Sequence, residues 1–215
     1  MKFKLVVFDV DGVLTEVESV WRYLHRKLGT LKQAEVNAKA YYNGLISYEE
    51  WAKRDVALWR GIPKEVLISI VNNIPLRRGA RDLISFLKAK GLIVVALSAG
   101  LSLITRRIKD VLGLDRELSN DLIFDKNGKV SGDVVVKVRA DNKGLVLKKL
   151  LNEYNLTGKE CIAVGDSEVD IPMFKEVGLS VAFSPKDIKV AEAADVTIYG
   201  DLSKLLYLFK LILSK

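Results

Sequence analysis

Two aspartates one residue apart, Asp9 and Asp11, stand where the apolar run Leu5–Phe8 ends in a turn containing Gly12. A buried parallel strand becomes polar where its carboxyl end opens onto a crevice, and that is where open α/β sheets bind ligands. Side chains at i and i+2 of an extended chain point the same way. A chain turning at Gly12 therefore lets two carboxyls and a backbone carbonyl converge on one small ligand. One carboxylate can then attack or hold a metal, while the other, its pKa raised by the neighbouring negative charge, can carry a proton.

Three further polar groups follow at strand or helix ends. Ser98-Ala99-Gly100 comes after the apolar run 93–97 and brings a hydroxyl and accessible backbone N–H groups, a loop that can hold an anion. Asp141-Asn142-Lys143-Gly144 begins an amphipathic helix ending near Tyr154, and Lys143 near a helix N-terminus is a strong phosphate contact. Gly165-Asp166 follows the run 161–164 and opens another helix. There Asp166 and Asp170, at i and i+4, can share one side of the first turn, and hard oxygen ligands of this kind suit Mg²⁺.

The elements that must position these groups are legible as apolar runs. Residues 5–8, 92–97, 161–164, 179–182 and 196–198 read as short buried strands separated by helical segments, the signature of a parallel sheet flanked by helices. Residues 121–124 and 130–136, joined across Asn127-Gly128, read as a β-hairpin. About 80 residues separate the first strand from the second, where a crossover needs about a dozen. The stretch 16–75 reads as helices throughout, with a capping box at Ser47-x-x-Glu50 and Pro63 at a helix start. The expected organisation is a core formed by 1–15 and 76–215 and a small helical cap formed by 16–75.

Composition narrows the class. The chain has 215 residues, 49% of them apolar, which is ample for a buried core. No apolar stretch reaches the length of a membrane span, and Met1-Lys-Phe-Lys leads directly into a needed strand, so neither a span nor a cleaved signal is expected. The single cysteine, Cys161, lies in an apolar run and reads as a buried thiol in a reducing cytoplasm. The net charge of +7 is spread over short basic clusters, among them Arg77, Arg78 and Arg81, with 27 acids interspersed. This reads as a solvated surface and not a nucleic-acid footprint. The single histidine, His25, reads as solvated or half-packed, and neither a Ser–His pair nor a multi-histidine metal site can be built.

Together, Asp9-x-Asp11-Gly-x-Leu-Thr, Ser98, Lys143 and Gly165-Asp166-x-x-x-Asp170 resemble the four ordered motifs of the haloacid dehalogenase-like superfamily. Within it the chain resembles phosphoserine phosphatases over nearly its whole length, including the cap, the hairpin and the run 163–175. The resemblance implies a Rossmann-like α/β core with helices on both faces and a Mg²⁺-dependent phosphomonoesterase acting on a small-molecule phosphate ester. Asp9 would be the nucleophile and Asp11 the acid and base. Asp9, the backbone carbonyl of Asp11 and Asp166 would hold the metal, with Asp170 as ligand or orienter. Ser98, Ala99, Gly100 and Lys143 would bind phosphate. Glu18 falls where a cap glutamate meets a substrate ammonium. Asp55 falls where a carboxylate-gripping arginine is expected, with Arg54 adjacent as a substitute, and Val169 replaces an Asn beside the last aspartate. Phosphoserine is the leading substrate; a phosphoryl transferase or phosphomutase, and a non-catalytic phosphate-binding regulator, are the alternatives.

Overall fold

The computed structural model describes residues 2–213. Strands β1 (Leu5–Phe8), β2 (Ile93–Leu101), β3 (Arg116–Phe124), β4 (Val130–Val135), β5 (Cys161–Gly165), β6 (Leu179–Phe183) and β7 (Val196–Ile198) form one sheet in the order β4-β3-β2-β1-β5-β6-β7. Every pairing is parallel except β3 with β4. The unbroken apolar runs are explained by burial on both faces. Val6 and Phe8 enter one core with Val94, Ala96, Ile162 and Val164, while Leu5 and Val7 enter the other with Val95, Leu97, Cys161 and Ala163.

Between β1 and β2 lie α1 (Val20–Lys27), α2 (Leu31–Tyr42), α3 (Tyr48–Ala57), α4 (Lys64–Asn72) and α5 (Ala80–Ala89). Helices α5, α6 (Ser102–Leu112) and α10 (Leu202–Leu213) cover the first core; α7 (Lys143–Glu153), α8 (Ile171–Phe174) and α9 (Ile188–Glu192) cover the second. Ser47 caps α3 by accepting from the Glu50 N–H at 3.1 Å, and Pro63 is the N-cap of α4.

The helical insertion is tied down twice. Where it leaves and rejoins the sheet, the Glu16 N–H donates to the Pro75 carbonyl at 3.2 Å and the Arg77 N–H to the Leu14 carbonyl at 2.9 Å. Midway, the β3–β4 hairpin meets the segment between α3 and α4: Gly61 N–H donates to Val130 O, Val130 N–H to Ile62 O and Lys64 N–H to Gly128 O, each at 2.9 Å.

Two expectations need correction. The segment 98–100 is not a loop following the second strand, because β2 continues to Leu101 and α6 starts at once with Ser102. The pairing of β2 with β3 shifts register between Leu97 and Leu101, which turns this segment out of the ladder while keeping it extended. His25 is neither solvated nor half-packed: it is 1% exposed. Its ring lies 4.5 Å from that of Trp59, its Nδ1 is 2.8 Å from Thr30 Oγ1, and Trp59 Nε1 donates to the same Nδ1 at 3.2 Å. On the other edge, His25 Nε2 faces Asp55 Oδ2 at 3.4 Å, and Asn37 donates to Asp55 Oδ1 at 2.8 Å. The core of the insertion is thus small, and a buried polar cluster completes it.

Replacing one member strands the others away from water. His25→Phe should keep the volume but leave Trp59 and Asp55 short of partners, lowering unfolding free energy by about 1–3 kcal/mol in urea titration. Arg54→Ala, on the exposed side of α3, should change it by less than about 0.5 kcal/mol. Equal effects from the two would reject the stabilising role of the cluster.

Candidate active site

Strand β1 has β2 on one side and β5 on the other, so the crevice opens where the direction of winding reverses. Phe8 is in register with both Ala96 and Val164, and all three chains deliver polar residues just beyond that level: Asp9, Ser98 and Asp166. Asp9 closes the ladder by donating its N–H to the Val164 carbonyl at 2.9 Å.

The turn after β1 depends on Gly12. Its φ is +79°, and a Cβ there would lie 2.0 Å from Asp166 Oδ2, so both the left-handed backbone and the close approach of a carboxylate exclude a side chain. The N–H groups of Leu14 and Thr15 both donate to the Val10 carbonyl at 3.0 Å, and Arg77 Nη2 donates to the Gly12 carbonyl at 2.7 Å. The turn brings back Asp11, whose Oδ2 accepts the Val20 N–H at 2.7 Å, while its buried Oδ1 has no partner.

Lys143 sits at the start of α7, fully buried, 2.9 Å from Asp9 Oδ1 and 2.6 Å from Asp170 Oδ1. Gly144 makes this depth possible: a Cβ there would be 2.6 Å from the Pro172 carbonyl of α8. Asp170 is also fully buried, and its second oxygen accepts from the Asp166 N–H at 2.9 Å, the Ser167 N–H at 3.1 Å and Ser167 Oγ at 3.2 Å. Ser98, 1% exposed, accepts the Gly100 N–H at 2.9 Å. Ser98, Ala99 and Gly100 line the crevice with Asp9, Asp11 and Lys143.

Oxygens of Asp9, Asp166 and Asp170 lie within 4.8 Å of one another. Hard donors at this spacing fit a divalent metal ion. Without one, Asp9, Asp11 and Asp166 bind protons more tightly than ordinary carboxyls. Burial, then Asp170, raises the Asp9 pKa well above the ordinary value, against the pull of Lys143. Burial pushes Asp11 up to about 6, opposed by the Val20 N–H and Lys143. Burial and then Asp170 push Asp166 up to about 7, opposed by Lys143. Burial alone would lower the Lys143 pKa, but the Asp170 and Asp9 carboxylates outweigh it and raise it above the ordinary value.

Of the residues expected to touch the organic part of a ligand, Glu18 lies at the rim of the crevice, exposed and paired with Lys186. Lys186 holds its carboxyl below the usual range. Arg54 is not brought to the site. It is exposed and donates to Glu50 Oε1 at 2.8 Å on its own helix. One residue further along a helix turns the side chain by about 100°, and it is Asp55 that points inward.

Four contributors escaped sequence reasoning. Asn120 in β3 is buried and donates to the Ala99 carbonyl at 2.9 Å and the Val138 carbonyl at 2.8 Å. Trp21 and Tyr48 reach the same Ala99 carbonyl from the insertion, at 3.1 and 3.4 Å. Arg77, read as part of a solvated basic cluster, is instead half-buried against Phe183 and bonded to the Gly12 carbonyl. Sequence offered no clear signal for Asn120, which lies in the polar first part of β3, and the others became visible only once the helices were placed.

These shifts have a consequence for stability. Asp11 and Asp166 bind protons more tightly folded than unfolded, since both values lie above the ordinary 3.8. Their contribution is therefore complete below about pH 4 and is lost as pH rises through about 6 and about 7. In chelator, unfolding free energy should fall across pH 4–7.5, by up to about 1.4 kcal/mol per pH unit for each proton involved. Asp166→Asn should flatten this slope, and added MgCl₂ should stabilise more at pH 7.5 than at pH 5. A slope unchanged in Asp166→Asn would refute the assignment.

The comparisons with known proteins agree with this geometry. A family model described as haloacid dehalogenase-like hydrolase matches residues 3–178. The phosphoserine phosphatase of Methanocaldococcus jannaschii is 34% identical over 211 residues, covering 97% of this chain and 99% of that protein. That of Lactococcus lactis is 35% identical, covering 97% and 94%. Among solved structures, a substrate-bound phosphoserine phosphatase complex superposes with a TM-score of 0.82 at 31% identity, covering 97% of this chain and 99% of that one. A phospho-aspartyl intermediate analogue of phosphoserine phosphatase gives 0.81 at 31% identity with the same coverage. The chain belongs to the haloacid dehalogenase-like hydrolases.

Proposed function

We propose that the crevice hydrolyses small phosphate monoesters in two half-reactions, with Asp9 carrying the phosphoryl group between them. The protein is a phosphatase. The observation that carries the mechanism is the junction of Asp9, buried against Lys143, with an Asp11 carboxyl whose inner oxygen has no partner and whose pKa is about 6. A binding site alone has no use for a proton carrier beside a nucleophile.

In the first half-reaction an oxygen of Asp9 attacks phosphorus and the bond from phosphorus to the alcohol oxygen breaks. Asp11 gives that oxygen its proton. In the second, ionised Asp11 takes a proton from water, the water oxygen attacks phosphorus, and the bond to Asp9 breaks, releasing inorganic phosphate. Ser98 Oγ, the backbone at Ala99 and Gly100, and the Lys143 ammonium bind the phosphoryl oxygens. The ammonium also offsets the repulsion between two anions. Asp9, Asp166 and the Asp11 carbonyl would hold Mg²⁺, which when bound would supply further neutralisation of phosphoryl charge. Asp170, with both oxygens already committed to Lys143, Asp166 and Ser167, serves as orienter for that set.

Residues 16–75 act as the cap, excluding water and bulky substrates. Phosphoserine leads the candidates, because the relatives named above carry that description and Glu18 stands at the rim where an ammonium would arrive. No helix of the described residues is long and apolar enough to cross a membrane, which fits the cytoplasmic setting of such chemistry.

Asp9→Asn and Asp166→Ala should each lower phosphate release by on the order of a thousandfold or more while leaving the circular dichroism spectrum intact. Chelation should do the same reversibly. Full turnover in Asp9→Asn would exclude it as nucleophile.

The two acids of the opening motif should separate by leaving group. Asp11→Asn should cost about 10²–10⁴-fold on an alkyl phosphate, which needs the proton, and much less on 4-nitrophenyl phosphate in a burst measurement of the first half-reaction. Equal losses in that burst would remove Asp11 from the first step.

A further inference from the structure

Above the catalytic carboxyls the insertion encloses a second cavity of about 270 Å³, set among α1, α2 and α3. Ser19, Trp21, Tyr42, Tyr48 and Trp51 border both this cavity and the crevice that holds Asp9 and Lys143, so the two adjoin across these side chains. The space lies next to the crevice where the far end of an ester on Asp9 would project.

The walls are specific in chemistry. Trp51 stacks on Tyr41 at 4.7 Å, Tyr48 meets Trp51 edge-on at 5.7 Å, and Tyr42 tilts against it at 5.7 Å. Trp21 is held from behind by Trp59 at 5.7 Å. Electron-rich ring faces attract a cation most strongly where water is excluded. At the inner end is Asp55, 4% exposed, in the position where a carboxylate-gripping arginine was expected. Arg22 also lines the space, but Glu35 engages its guanidinium at 3.0 Å. A substrate carboxylate placed here would face Asp55 with no free guanidinium or ammonium among the described lining residues, whereas a positive group would meet a carboxylate and aromatic rings.

We propose that this cavity is the specificity pocket for the leaving alcohol, and that the preferred substrate is a phosphate monoester whose alcohol ends in an alkylammonium group and carries no carboxylate. The proposal rests on the phosphatase reading and departs from phosphoserine, the candidate that the relatives' descriptions favour. It uses Trp51, Trp21 and Tyr42 as the aromatic wall, with Asp55, whose oxygens are already met by Asn37 and His25, as the negative group at its inner end. Glu18 at the rim, already engaged by Lys186, takes no part in it.

The test compares three esters that share the same CH₂–O–P linkage: phosphocholine, its neutral isostere 3,3-dimethylbutyl phosphate, and phosphoserine. Wild-type kcat/KM should favour phosphocholine over each of the others by about tenfold or more, carried mainly in KM, the size of effect one desolvated cation–aromatic contact supplies. Trp51→Ala and Asp55→Asn should each shrink the ratio of phosphocholine to its isostere. Ala38→Leu, which narrows the cavity from α2 without touching the polar cluster, should raise KM for phosphocholine more than for methyl phosphate. Equal kcat/KM for phosphocholine and the isostere would overturn the charge assignment, and a preference for phosphoserine would overturn the pocket assignment. Hydrolysis of methyl or 4-nitrophenyl phosphate would persist in either case. Its absence as well would overturn the phosphatase reading, and this inference with it.

Discussion

Four carboxyls at one end of a sheet share one buried ammonium, and the rest of the site is arranged around that imbalance. Burial, joined by the neighbouring carboxylates at Asp9 and Asp166, makes Asp9, Asp11 and Asp166 bind protons more tightly than usual even beside Lys143, so protons or a metal ion complete the set. This explains why the cluster sits at strand and helix ends and not within the sheet. Backbone N–H groups of Val20, Asp166 and Ser167 can reach the carboxyls there and take part of the charge. It also explains the depth of Lys143. At the surface its charge would be screened; buried, it is strong enough to hold Asp9 in place and remain protonated.

The same crowding makes small residues obligatory where chains approach. Gly12 gives Asp166 room, and Gly144 lets α7 settle against α8 so that Lys143 arrives from below. The Ala99 carbonyl shows how helical insertion and sheet are coupled: it collects donors from Trp21 and Tyr48 above and Asn120 beside it. The Ser98-Ala99-Gly100 backbone that lines the crevice is thus positioned by both parts of the molecule.

Much of this was legible in the chain. Unbroken apolar runs could only be strands buried on both faces, and polar residues at their ends marked the crevice; Asp9, Ser98 and Asp166 fall at one level of the sheet for that reason. Lys143 was legible from its place at a helix start. What escaped was tertiary. The burial of His25 and Asp55 depends on how α1 packs on α3, and a one-residue difference on a helix separated the exposed Arg54 from the buried Asp55. The extension of β2 through Ser98-Ala99-Gly100 depends on a neighbour, β3, whose first residues carry no apolar alternation. Arg77 looks like any surface arginine until the Gly12 carbonyl is placed beside it.

The two tethers of the helical insertion limit the motions open to it. One lies at the paired chain crossings of Glu16 with Pro75 and Leu14 with Arg77, the other at the hairpin contact through Val130. Both are main-chain contacts, and they fix the ends and the middle of the insertion. Helix α4 follows directly from the hairpin tether, whereas Tyr41, Tyr42, Tyr48 and Trp51 on α2 and the start of α3 take no part in either set of main-chain bonds. The aromatic wall is instead held to the sheet domain by side chains, Trp21 and Tyr48 on the Ala99 carbonyl and Arg139 on Glu49.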